Sequence, residues 1–244
     1  MARNAAGSCQ LPALSVGPFH VTFAMGDEDR REEYRIRYRV FVEEYRFESA
    51  DRCPDGLERD EFDAASCSFL LRDAMTGEAA GCQRLVLPDR LGPGTVTNLE
   101  REYRPLLGRS PVDFTALSRS SWAEASRTTI LPHYRWGSGA TTLPAMVAVK
   151  YASIALALAF GRPTLYSLSE PHTARLIRRL GFAMDQIGAP VEFHGVRAPF
   201  RMDLDSMVRS VSAVDRGTLD RLIRAAAIFA EAHGGAHGVP AQVA

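Results

Sequence analysis

The chain has 244 residues, 46% of them hydrophobic and 24% charged. That is the composition of an ordinary globular protein, long enough for one large domain with a real core. Lysine plus arginine number 29 and so do aspartate plus glutamate, so no net basic field is available to hold a nucleic acid through its phosphates. Cys9, Cys53, Cys67 and Cys82 form no Cys-x-x-Cys pair and the six histidines no His-x-x-x-His, so the spacing of a tetrahedral metal site is absent.

Residues 1–18 lack a basic stretch followed by a continuous apolar run and read as a flexible N-terminus rather than a secretory signal, which implies a cytoplasmic protein. Residues 19–25 alternate as a strand, and 27–45 predict a charged helix with Tyr34, Tyr38, Phe41 and Val42 on one face. An acidic loop follows over 48–65, with turn chemistry at Pro54-Asp55-Gly56. Residues 68–72 and 80–87 read as a hairpin across Met75-Thr76-Gly77-Glu78, and 112–118 as a further strand.

The stretch 141–160 is almost wholly apolar and approaches the length that spans a bilayer. Lys150 at its centre would be costly in lipid, which favours a core helix packed on the sheet, with peripheral membrane contact as the alternative. Residues 165–168 predict a short strand, 171–180 a short helix stopped by Gly181, and 191–194 and 199–204 closing strands. Near the C-terminus Thr218 can cap a helix whose Leu219, Leu222, Ile223, Ala226 and Phe229 form an apolar stripe. The chain therefore divides into a main domain over 19–207, an amphipathic helix over 208–236 and a frayed tail over 237–244.

The chemistry concentrates in charged residues that fall in or beside buried elements. Arg37 and Phe41 share a helix face, with Phe47 just past its end; residues 58–63 carry four carboxylates in six positions, Asp60 and Asp63 among them. Arg84 lies within a predicted strand and Arg119 at the close of another. An arginine on a burying strand face is tolerable only with carboxylate partners, which makes Asp60 and Asp63 their mates. The pattern fits a structural salt-bridge network and direct substrate contact alike.

Arg37-x-x-x-Phe41 with Phe47, Asp60-x-x-Asp63, Gly81-x-x-Arg84 and Ser118-Arg119 resemble, in order and with similar spacing, the motif series of the acyl-homoserine-lactone synthases. Arg37-Tyr38-Arg39-Val40-Phe41, the run from Pro54 to Asp63, Arg84-Leu85-Val86-Leu87-Pro88 and the run from Val191 to Pro199 are more similar still to the acyltransferases associated with PEP-CTERM/exosortase systems. The resemblance implies an α/β GNAT-like fold, a mixed and mostly antiparallel central sheet flanked by helices. It implies transfer of a fatty acyl group from an acyl-carrier-protein or coenzyme A thioester to a small amine, with no permanently bound cofactor. Within it an amino acid is favoured as acceptor; an acyl-homoserine-lactone synthase and a noncatalytic acyl- or carrier-binding module are the alternatives.

Carried onto this sequence, the resemblance makes Arg37, Asp60, Asp63, Arg84, Ser118 and Arg119 the catalytic set, and Phe41, Phe47, Thr115, Ala116, Leu117 and Trp122 the substrate-binding set. The thioester arm would lie in a splay between two central strands, beside the strand ending at Ser118-Arg119. Autoinducer synthases usually carry a glutamate two residues before the serine of their Ser-Arg pair, a position that is Ala116 on this reading. Glu58, Glu61, Glu124 or a water chain would then take the amine's proton, and S-adenosylmethionine is disfavoured as acceptor. The Gly-rich run Arg135-Trp136-Gly137-Ser138-Gly139-Ala140 departs from the usual phosphate-binding register. That favours a carrier-protein donor, with Arg127, Arg135 and Lys150 as its contacts. A hydrogen-bonded structural role is expected of His194.

Overall fold

The computed structural model describes residues 14–103, 112–136 and 142–234. The outermost N-terminal residues, the glycines at 137 and 139, Cys9 and the tail lie outside them. Strand β1 (Leu14–Val16) pairs with β2 (Phe19–Phe23), and helix α1 (Asp27–Arg37) follows, its acidic first turn and basic last turn both matching the helix dipole. A single helix was expected to run to residue 45. Instead the turns widen over Tyr38–Glu44 into a π-helical segment, in which the Tyr45 amide donates to the Val40 carbonyl at 2.9 Å. The buried face consists of Glu33, Ile36, Arg37, Val40 and Val42 rather than the tyrosines.

Strands β3 (Ser66–Asp73) and β4 (Ala79–Val86) form the predicted hairpin. After α2 (Asn98–Tyr103) the predicted strand at 112–118 is not one. The Asp113 carboxylate accepts from the Thr115 amide at 2.9 Å and the Thr115 hydroxyl at 2.6 Å, and the Ala116 amide donates back to the Asp113 carbonyl, so the segment is a tight turn. The strand comes later, as β5 (Trp122–Ile130).

Then follow α3 (Pro132–Trp136), α4 (Thr142–Ala159), β6 (Thr164–Ser169), α5 (Pro171–Arg179), β7 (Asp185–Gln186), β8 (Val191–Glu192), β9 (Val196–Asp203), α6 (Leu204–Ser210) and α7 (Ala213–Ala232). The sheet order is β1-β2-β3-β4-β5-β6-β9-β7, with β8 also paired to β9. Only β5 and β6 run parallel among the described pairs, so the sheet is mixed and mostly antiparallel, with helices on both faces. This is a GNAT-like architecture.

Helix α4 is apolar around its circumference because it is covered on both sides, by the sheet beneath and by α7 above. Leu219, Leu222, Ile223, Ala226 and Phe229 of α7 join the same core. That helix begins after Ser212, whose hydroxyl accepts from the Asp215 amide, and so starts earlier than Thr218. Among the described residues no helix is long and apolar enough to cross a membrane.

Candidate active site

Three arginines from three elements converge on the acidic loop. Arg37, fully buried at the end of α1, donates to Glu58 at 2.6 Å, to both oxygens of Asp63 at 2.6 and 3.1 Å, and to Glu33 at 3.3 Å. Arg84, 1% exposed on β4, holds Asp60 with two nitrogens, reaches Asp63 at 2.8 Å and turns its Nε to the Ser126 hydroxyl at 3.2 Å. Arg127 of β5 contacts Glu58, Glu48 and Asp60 at 3.0 to 3.1 Å. The loop fixes itself as well, the Asp60 amide donating to Asp63 and the Phe62 amide to Asp60.

Burial alone would raise the Asp63 carboxyl, but the guanidiniums of Arg37 and Arg84 overcome it and hold it down at about 2. Asp60 is likewise lowered against its burial, chiefly by Arg84.

The network braces an opening in the sheet. Strands β5 and β6 pair only from Trp122↔Thr164 to Glu124↔Tyr166; past that point β5 runs on to Ile130 and β6 to Ser169 without pairing to each other. The register between β4 and β5 slips between Cys82 and Arg84, and Arg127 takes a φ of 49°, the left-handed backbone of a bulge. A cavity of about 290 Å³ fills the opening, lined by Ala125 to Ile130 of β5, Ser167 to Ser169 of β6, and residues of α4, α5 and the π-helical segment.

Its rim is aromatic: Phe47 stacks on Tyr45 at 5.1 Å and lies 6.4 Å from Phe41, and His194 meets Phe47 at 5.0 Å. His194 sits in the turn between β8 and β9 at a φ of 51°, not within a strand. Glu124 lines the same cavity. Burial pushes its carboxyl above the ordinary range, opposed in part by the Leu99 amide that donates to it at 3.0 Å.

The family profile described as Acetyltransferase (GNAT) domain matches residues 36–145. An acyl-homoserine-lactone synthase of Rhizobium radiobacter is 26% identical over 162 residues, 66% of this chain and 71% of that one. Among solved structures, TofI in a ternary complex with an inhibitor and MTA superposes with a TM-score of 0.57 at 25% identity, over 82% of this chain and 96% of its own. A coenzyme A-dependent acyl-homoserine-lactone synthase, BjaI, shares the fold at 18% identity with a TM-score of 0.59, over 87% and 97%. So does FeeM, an N-acyl amino acid synthase from uncultured soil microbes, at 14% identity and a TM-score of 0.52, over 81% and 96%. The chain is a GNAT-fold acyltransferase. It is similar in sequence to an acyl-homoserine-lactone synthase and shares its fold with an N-acyl amino acid synthase.

Within this acyltransferase the expected residues divide. Arg37, Asp60, Asp63 and Arg84 come together as one network, and Phe41 and Phe47 line the cavity. Arg119 does not pair with Asp60 or Asp63: it donates to Glu100 and to the carbonyls of Pro88 and Thr95, each at 3.0 Å, and braces the loop after β4. Thr115, Ala116 and Ser118 are exposed and Leu117 half-buried, in the turn that precedes β5 rather than along a strand beside the opening. Trp122 fills a small second core with Leu99, Phe114, Tyr166 and Ile187.

The Ser-Arg pair at the opening is Ser126-Arg127, and two residues before that serine stands Glu124. A carboxylate in the spacing expected at position 116 therefore stands at the opening. The sequence holds two Ser-Arg pairs, and the Glu-x-Ser-Arg spacing was the signal that distinguishes them. Of the other carboxylates proposed as base, Glu58 is held by Arg37 and Arg127, and Glu61 is exposed beside Arg101. Nor do the expected carrier contacts offer free surface cations: Arg127 and Arg135 are engaged with carboxylates and Lys150 is buried.

Proposed function

We propose that this acyltransferase moves a fatty acyl group from a coenzyme A or acyl-carrier-protein thioester to the amine of a small amino-acid-type acceptor. The thioester arm lies in the opening between β5 and β6, and Glu124 receives the ammonium proton. The observation that carries the reading is a buried carboxylate of raised basicity on the wall of the opening, where the β5 edge loses its strand partner. The freed amine attacks the thioester carbonyl carbon, the C–N bond forms, the C–S bond breaks, and the pantetheine sulfur leaves as thiolate and takes up a proton. Backbone amides along the unpaired edge are suited to polarise the carbonyl oxygen as charge builds on it.

Arg197 on the rim supports an acceptor with an α-carboxylate, because it donates to the Phe193 and His194 carbonyls at 2.8 and 3.5 Å while the carboxylate of Glu170 stays 3.9 Å away, which leaves its charge without a close counter-charge. Two grounds weigh against S-adenosylmethionine, Ala116 and the closer resemblance to the exosortase-associated acyltransferases; Glu124 at the opening weakens the first and leaves the second. Acyl-homoserine-lactone formation is therefore a second reading, favoured by the relationship to the Rhizobium radiobacter synthase. The motif variants quoted above support a place beside the exosortase-associated acyltransferases.

Mass spectrometry decides between the acceptors when an acyl donor is supplied with S-adenosylmethionine in one reaction and with mixed amino acids in another. Acyl amino acid in the second reaction is the expected result, and acyl-homoserine lactone in the first alone would establish the second reading. No acyl product with either donor in either mixture would end both.

A further inference from the structure

Lys150 has no role in the chemistry above, yet it lines the same cavity while only 5% exposed. Among the described residues it makes no hydrogen bond and no ion pair, and burial alone lowers its ammonium, to about 8. At neutral pH most of it is still charged. The polar groups around it are committed to one another: the Gln83 amide donates to Thr128, the Ser153 hydroxyl donates to Gln83 and to the Val149 carbonyl, and Thr129 bonds Cys82. The carboxylates of the cavity have other partners too, Glu48 with Arg127, Glu124 with the Leu99 amide, and Glu170 with His172 at 3.2 Å and Arg197 at 3.9 Å. A buried cation with no counter-charge is unfavourable, and a cavity wall is the one place where a ligand can supply that charge.

The sheet indicates which end of which substrate would do so. Neighbouring residues on a strand point to opposite faces. On β4, Arg84 faces the acidic loop and Gln83 faces α4, where it meets Ser153 one turn beyond Lys150. On β5, Ser126 bonds Arg84 and Glu124 stands two residues before it, so both lie on the Arg84 side. Lys150 therefore approaches the opening from the face opposite Glu124 and the amine. Its depth in α4, eight residues from the start at Thr142, puts it roughly 12 Å along the helix from the N-terminal end where a phosphate would sit.

We infer that Lys150 binds a carboxylate carried by the acyl group of the donor, so that the substrate is a dicarboxylic-type acyl thioester rather than a plain alkyl one. Met146, one turn before Lys150, and Ile177 of α5 offer apolar wall for the methylenes between the thioester and that carboxylate. This inference rests on the acyl-transfer reading of the same opening.

The test compares pantetheine thioesters of matched length ending in methyl or in carboxylate, with 3-oxo acyl donors alongside, on the wild-type protein and on Lys150→Met. Non-reactive amide analogues of each are titrated by calorimetry in parallel. Wild type is expected to favour the carboxylate donor by at least about tenfold in kcat/KM and in affinity, and Lys150→Met to abolish that preference. Plain or 3-oxo donors used as well or better by wild type would overturn the inference while leaving acyl transfer intact. So would an unchanged preference in a folded Lys150→Met. Discrimination between the amides without turnover of any thioester would keep the carboxylate site and sink the acyl-transfer reading; no binding of the carboxylate amide overturns the inference. If Lys150→Met fails to fold, the wild-type ratio decides alone.

Discussion

Arg84 grips Asp60 with two nitrogens, Nη2 to Oδ2 at 3.0 Å, while its Nη1 also reaches Asp63 at 2.8 Å, so one strand arginine pins two carboxylates of the acidic loop to the sheet. Arg84→Met leaves two carboxylates in a partly dry site with one guanidinium fewer. Breaking a buried pair by removing one partner costs about 3–5 kcal/mol. Denaturant titration of Arg84→Met is expected to show a loss of that order, and a loss below about 1 kcal/mol, the scale of a surface pair, would mean that the network carries no structural weight.

The same network makes the fold acid-sensitive in a defined window. Asp63 sits at about 2 when folded, against an ordinary 3.8. A carboxylate with a depressed folded value adds stability that is fully present above its unfolded value and is lost as pH falls through the folded one. The difference corresponds to roughly 2 kcal/mol. The stability gap between wild type and Asp63→Asn is therefore expected to be constant above about pH 5 and to shrink between pH 4 and pH 2. A gap that stays flat down to pH 2 would contradict the assignment.

The pairing of Arg84 with Asp60 and Asp63 was legible in the sequence because an arginine on a burying strand face demands a carboxylate, and only one loop is dense in them. Arg37 was not: helical spacing puts it beside Phe41, and nothing in that spacing shows that Glu33, Glu58 and Asp63 close around it. Strand β5 escaped notice because Glu124, Ser126, Arg127, Thr128 and Thr129 line a cavity or a network instead of packing in alternation. Val112 to Ser118, by contrast, has apolar residues at strand-like intervals, and the Asp113 side chain overrides them by closing a turn. A strand that serves a site loses the pattern that announces strands.

The two Ser-Arg pairs can be separated by activity. Ser126 accepts from Arg84 beside the opening, whereas Ser118 is exposed in a surface turn and bonds the Ser120 hydroxyl. Ser118→Ala is expected to leave kcat/KM within about twofold, as surface changes away from a site do, and Ser126→Ala to lower it by about tenfold or more. The reverse order of effects would return the site to the turn at 115–119.

Gly81 tests the frame beneath the site. A Cβ there would run into the Thr129 carbonyl and lie 3.2 Å from the Ile130 Cα, so only glycine lets β4 and β5 approach at the bulge. Gly81→Ala is expected to cost about 1–3 kcal/mol through forced backbone shifts. Because those shifts fall on the cavity wall, donor affinity should weaken in protein that remains folded. A fully stable Gly81→Ala with unchanged donor binding would show that the close approach is dispensable.

Glu124 is the sharpest test of the chemistry. As a general base it works only when deprotonated, and burial raises its carboxyl above the ordinary range, so the rate should fall as pH drops through that raised value. Glu124→Gln keeps the shape and an acceptor oxygen for the Leu99 amide but cannot take the proton. Loss of general-base help is worth roughly 100-fold to 10,000-fold in rate. A drop of that size in kcat/KM is expected with folding preserved, together with disappearance of the acid limb of the pH–rate profile. A structural role alone would lower stability and leave the acid limb in place. Glu124→Gln that turns over at the wild-type rate, or that keeps the acid limb, would hand the proton to another group, and Glu58 would be the next to change.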